Sequence, residues 1–97
     1  MIFEFSKKNI DIGYYCKDHD INFALIVKNR VDIILSNTIG ASFIIVNEAL
    51  SVDAQKFAEE YMFDSKILMK AYSKNDIETA AQNGIDGVIF KDGILFV

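Results

Sequence analysis

Apolar positions along the chain fall into runs without the in-out alternation of a half-exposed strand. Phe23 to Val27, Phe43 to Val46, Ile67 to Met69 and Val88 to Phe90 are continuous apolar stretches, the pattern of parallel strands dry on both faces. Between them the spacing turns helical. Val31, Ile34, Leu35 and Thr38 mark one stripe, Ala54, Phe57, Ala58 and Tyr61 a second, Ile77, Ala80 and Ala81 a third, each on one side of a helix. Ser51 before Val52 and Ser73 before Asp76 have the chemistry of helix N-caps. Gly40 and Gly84 stand where a helix closes through a left-handed residue. Gly13 stands at no expected helix end, so an added Cβ there is expected to cost less.

The chain nearly repeats itself. Asp32-Ile33 recurs as Asp76-Ile77, Gly40 as Gly84 and Ile44-Ile45 as Val88-Ile89, which writes one strand-helix-strand unit twice. From residue 23 the order predicted is β-α-β-α-β-α-β, and right-handed crossovers make the four strands parallel. Asp92-Gly93, between Val88-Ile89-Phe90-Lys91 and Ile94-Leu95-Phe96-Val97, predicts a two-residue hairpin and an antiparallel last strand. Ile2 to Phe5 reads as a short strand. Ile10, Ile12, Tyr14 and Cys16 alternate weakly, and residues 6–22 carry no clear element. The fold expected is a single α/β domain over residues 1–97: a small parallel sheet, flavodoxin-like, in two or three layers, with a C-terminal antiparallel edge hairpin.

With 97 residues, 52% of them hydrophobic, the chain suffices for one core and is too short for an eight-unit barrel of about 250 residues. A net charge of −4 and a pI near 4.8 argue against nucleic acid or an anionic membrane surface as partner, because both demand clustered Lys and Arg. Cys16 is the one cysteine and has no internal disulfide partner, which fits a reducing compartment. Met1 to Lys8 places its lysines after the apolar residues, the reverse of a secretory signal, and no apolar run approaches the roughly 18 residues of a membrane span. A cytoplasmic protein is expected.

Little in the sequence points to catalysis. Asp18-His19-Asp20 has metal-ligand chemistry, but three consecutive side chains rarely converge on one ion, and a solvated turn is favoured. Cys16 has no base with nucleophile-activating geometry evident in sequence. Glu48, Asp53, Glu59 and Glu60 suit the start and wet face of one helix. Gly84-x-x-Gly87 leads into a strand, whereas a dinucleotide fingerprint leads out of one into a helix. No catalytic residue, metal or cofactor is therefore expected. The loops after the parallel strands, where ligands bind open α/β sheets, make Lys28, Asn29, Asn47, Ser73 and Lys91 the candidate ligand contacts.

The segment Ala71 to Lys91 resembles the last third of a response-regulator receiver domain, where a helix, a Gly-Ala-Asp-type turn, a strand and a lysine follow one another. Ala24 to Val27 and Phe43 to Asn47 resemble that family's first and third strands. The resemblance implies a flavodoxin-like fold with Lys91 as the family's lysine. Asn47 stands at the phosphoacceptor aspartate position, Lys28-Asn29 at the acidic pair and Ala71 at the hydroxyl position, which leaves Mg²⁺ and phosphoryl transfer without carboxylates. Asn83-Gly84-Ile85-Asp86-Gly87-Val88-Ile89-Phe90 is also similar to βα units of phosphate-binding barrels, whose glycine-bearing loops are here replaced by Lys91-Asp92-Gly93.

Two functions are expected from this reading. The first is a non-enzymatic interaction or regulatory module, a homo-oligomer or binder of a protein partner, associating through the edge Ile94, Leu95, Phe96 and Val97, with Ile2 to Phe5 as the competing cover within the chain. The alternative is a binder of a small phosphate-containing anion at the strand ends.

Overall fold

A computed structural model describes residues 1–90 and 93–96 of the chain, with only the backbone for Leu95 and Phe96. Strands β1 (Ile2–Glu4), β2 (Ala24–Ile26), β3 (Phe43–Val46), β4 (Lys66–Lys70), β5 (Gly87–Phe90) and β6 (Gly93–Phe96) alternate with helices α1 (Lys7–Asp18), α2 (Arg30–Ile39), α3 (Glu48–Glu60) and α4 (Lys74–Gln82) up to β5. They form one sheet in the order β1-β2-β3-β4-β5-β6. β1 to β5 are parallel, and β6 returns antiparallel to β5 with Phe90 opposite Gly93. The α/β alternation, the parallel sheet and the terminal antiparallel hairpin match the expectation. Gly93, expected in the turn, belongs to β6; Lys91 and Asp92 lie outside the described residues.

A flavodoxin-like sheet reverses its strand order once and carries helices on both faces. Here each crossover advances by one strand in the same direction. Right-handed crossovers then put every helix on one side. Packing agrees: Cys16 and Ile10 of α1, Ile33 and Ile39 of α2, Ala54 and Phe57 of α3, and Ala80 and Ile77 of α4 share one cluster with Leu25, Ile44, Val46, Ile67, Met69 and Val88 of the sheet and Val27 just after β2. The opposite side chains, Ala24, Ile45 and Leu68 with Ile26, Phe43 and Ile89, form a second cluster made of strand residues alone. The domain has two layers.

Residues 7–18, unreadable by period, are helical because Ile10, Gly13 and Cys16 recur every third position and face the core, while Ile12, Tyr14 and Tyr15 are exposed. Gly13 is a packing position, contrary to expectation: a Cβ there would lie 2.9 Å from Ile39 Cγ2 and 3.4 Å from the Phe23 ring. Gly40 and Gly84 have the expected left-handed backbone, with φ of 98° and 69°. Ser51 is not an N-cap. It lies inside α3, buried, its hydroxyl donating to the Glu48 carbonyl at 2.7 Å. β1 does not cover the β6 edge, because it pairs with β2 at the other rim of the sheet.

The repeat has a plain structural origin. Asp32 and Asp76 are each the third residue of a helix behind an N-cap, Asn29 and Ser73. Gly40 and Gly84 then turn the chain so that the next amide, of Ala41 or Ile85, donates back to the Ser36 or Ala80 carbonyl before the strand begins.

Candidate functional site

The carboxyl ends of the parallel strands, where ligands gather in α/β sheets, carry the residues singled out by sequence. Lys28 and Asn29 follow β2, Asn47 follows β3, Ser73 precedes α4, and Lys91 lies outside the described residues. Lys28 is exposed. Asn29 Oδ1 accepts the Asp32 amide and Asn47 Oδ1 the Leu50 amide, each at 3.0 Å, so both asparagines cap their helices. Asp76 Oδ2 accepts the amides of Tyr72 at 2.7 Å and Ser73 at 3.2 Å. The N–H donors that would greet an anion at these helix starts are thus partly satisfied by the helices' own caps.

Among the described residues, the expected contact Asn47 lines a cavity of about 580 Å³ shared with Glu48, Lys70, Tyr72, Asp76 and Asn83. Lys28, Asn29 and Ser73 do not line it. His19 closes α1: its Nδ1–H donates to the Tyr15 carbonyl at 2.9 Å, and its ring stacks on Tyr15 with centroids 4.0 Å apart. Cys16 is buried, its thiol directed at Met1 Sδ 3.8 Å away. Among the described residues no three His, Cys, Asp or Glu side chains cluster as metal ligands, and no helix is long and apolar enough to cross a membrane.

Sequence reasoning missed the bare face of the sheet. Register places Ile2, Ala24, Phe43 and Lys66 in one row across it, Glu4, Ile26, Ile45 and Leu68 in the next, and Lys70, Ile89 and Ile94 in a third. Ile2 of β1 and Ile89 of β5 line one cavity of about 470 Å³. Along a flat sheet four strand spacings would separate them by about 19 Å. A second cavity holds Ile2 and Ile94, from β1 and β6. The sheet is therefore curled with the bare face inside, toward an incomplete barrel.

The first cavity runs from the row of Ile2 to the row of Lys70 and Ile89 and has apolar walls of Ile2, Ile26, Ile45, Ala71, Ile89 and Phe90, with Lys70 and Tyr72 as its polar side chains. Lys70 is half-buried, and its side chain makes no hydrogen bond or ion pair with the described residues; the salt bridge present among them joins Arg30 to Asp53 on the surface, at 2.7 Å. Lys70 and Tyr72 also border the polar cavity around Asn47, so the two spaces meet at the end of β4. The signal for this site was the absence of alternation in β2 to β5. It becomes a cavity only through strand order, which periodicity does not encode.

No protein-family model matches the chain, and no curated protein matches it.

Proposed function

We propose that the chain is a non-catalytic cytoplasmic interaction module that acts by self-association, two copies joining along β6. One observation carries this reading: β6 ends the sheet, and the segment that could have covered it from within, β1, lies at the opposite rim. An edge strand offers a row of unpaired N–H and C=O groups, and natural edges are guarded by Lys, Pro or bulges. Gly93-Ile94-Leu95-Phe96 contains neither Lys nor Pro. Antiparallel pairing of two β6 strands about a two-fold axis satisfies both edges and closes on itself, whereas β1-to-β6 pairing between copies would propagate. A ladder of four residues is short, so dissociation in the range of about 10 μM is expected.

Sedimentation velocity from low to high micromolar concentration tests it. The intact chain should dimerise, while Leu95→Lys, which sets two like charges beside the axis, should stay monomeric with an unchanged circular dichroism spectrum. An intact chain that is monomeric throughout refutes the proposal, and equal dimerisation of Leu95→Lys and of a chain ending at Asp92 refutes the edge as interface. The alternative, a phosphate-bearing ligand at the helix starts, would compete for N–H groups that Asn29, Asn47 and Asp76 already engage. That competition favours assembly.

A further inference from the structure

The geometry points to a binding site for a free medium-chain aliphatic carboxylate in the curled face of the sheet, its tail among Ile2, Ile26, Ile45 and Ile89 and its carboxylate on Lys70. Three features select this occupant. The first is curvature. Ile2 and Ile89 line one cavity although three strands separate theirs, so the flat sheet of another protein, which packs about 10 Å away face to face, has no room to enter; a slender molecule does. The second is composition. A space of about 470 Å³ lies in the range of small-molecule sites, which are mostly apolar with a few convergent polar groups. Here the walls are isoleucine.

The third is charge. Lys70 borders the apolar cavity as a half-buried cation without an ion-pair partner among the described residues. Glu4 shares the row of Ile26 and Ile45 but does not line the cavity and lies one row from Lys70, and the Asp76 carboxylate next door is held by two backbone amides. A carboxylate at the end of an alkyl chain satisfies the ammonium by a charge-assisted bond, with the exposed Tyr72 beside it. A bare phosphate would leave the isoleucine walls wet, and a neutral alkane would leave the lysine unpaired. The site needs neither the β6 edge nor a second copy, so it stands independently of self-association.

Decanoate, decanol and acetate are the probes, titrated by calorimetry and by methyl NMR of the isoleucine-labelled full chain. Decanoate should bind about tenfold more tightly than decanol, the worth of one charge-assisted bond, and acetate should not bind. The Ile26, Ile45 and Ile89 methyls should shift while Ile33 and Ile67, on the helix side, stay still. Lys70→Met should bring decanoate and decanol within about threefold of each other, and Ile2→Trp, on the exposed rim strand, should weaken both by filling the cavity. No decanoate binding, equal affinity for acid and alcohol in the unaltered chain, or shifts spread over the helix-side isoleucines would overturn the assignment. Methyl spectra of the free variants distinguish a lost site from a lost fold: a folded Lys70→Met that keeps its full preference for the acid also overturns it.

Discussion

Replacing Asp86 by alanine should destabilise the domain by more than a substitution at a polar, partly exposed residue usually does. Asp86 closes the turn into β5, and its Oδ2 accepts the Ile67 amide at 2.9 Å. Ladder pairing between β4 and β5 starts only at Leu68 and Gly87, so the carboxylate stands in for a strand carbonyl one residue before the ladder begins. Gln55 of α3 completes the arrangement, its Oε1 accepting the Asp86 amide at 3.2 Å and its Nε2 donating weakly to Oδ1 at 3.4 Å. Ile67 is fully buried and Gln55 nearly so. Asp86→Ala therefore removes a hydrogen bond to a charged acceptor and orphans a buried amide, together about 3 kcal/mol out of the roughly 5–15 kcal/mol that holds a domain folded. With a urea slope of about 1.5 kcal/mol/M for a chain of this size, the midpoint should fall by about 2 M. Asp86→Asn keeps one acceptor but turns a donor toward Gln55 and should cost about 1 kcal/mol. Urea unfolding followed by far-UV circular dichroism reads all of this, with a Gln55→Ala, Asp86→Ala cycle to isolate the coupling. A loss below about 1 kcal/mol for Asp86→Ala would show that water replaces the carboxylate without penalty and that the turn is held by other means.

The remaining predictions concern residues whose surroundings differ. Gly84→Ala meets no atom within 4 Å and should cost only its left-handed strain, about 1 kcal/mol, as should Gly40→Ala, where the flexible Lys17 side chain can move aside. Gly13→Ala gains about 1 kcal/mol of helix propensity and loses about 1–3 to overpacking against Ile39 and Phe23, so denaturant melts should show a modest net loss; a stabilised variant would mean that Ile39 yields. Ser36 Oγ is buried with no hydrogen-bond partner among the described residues, and Ser36→Ala should raise stability by up to about 1 kcal/mol in the same assay; a drop would reveal a bond to this hydroxyl. Incubation with acetyl phosphate and Mg²⁺ should leave the protein's mass unchanged, since Asn47, capping α3, offers no carboxylate nucleophile; an added phosphoryl group near that loop would refute this.

What could be read from the sequence follows from how locally each feature is written. The strands of the repeat and the glycine turns at Gly40 and Gly84 are encoded within a few residues and were legible. α1 was not, because its core side is only Ile10, Gly13 and Cys16 while Ile12 and Tyr14 face water, so a two-residue alternation masked a three-residue spacing. Ser51 resembled an N-cap because serine competes for backbone carbonyls both at caps and inside helices. Asn47 held the cap position four residues earlier. Lys28, Asn29 and Ser73 lie in the loops after β2 and β4, where Asn29 caps α2 and the Ser73 amide donates to Asp76, and Lys70 reads in the sequence only as the polar end of a strand.

Strand order is the level at which the sequence falls silent, and it decides the site. Unalternating strands require that both faces of the sheet be dry, and the usual solution is a second layer of helices. A sequence of four crossovers that never reverses leaves none for that layer. Curling supplies the substitute: Ala24, Ile45 and Leu68, without a helix above them, are at most 4% exposed, because Ile26, Phe43 and Ile89 of the curled sheet pack against them. This cover is incomplete, since six strands with open edges enclose less than a closed barrel, and a cavity remains that Ile2 and Ile89 both line. The binding cavity is thus a consequence of the chain's one-directional winding, and changing the apolar inner rows to alternating polar ones should abolish decanoate binding.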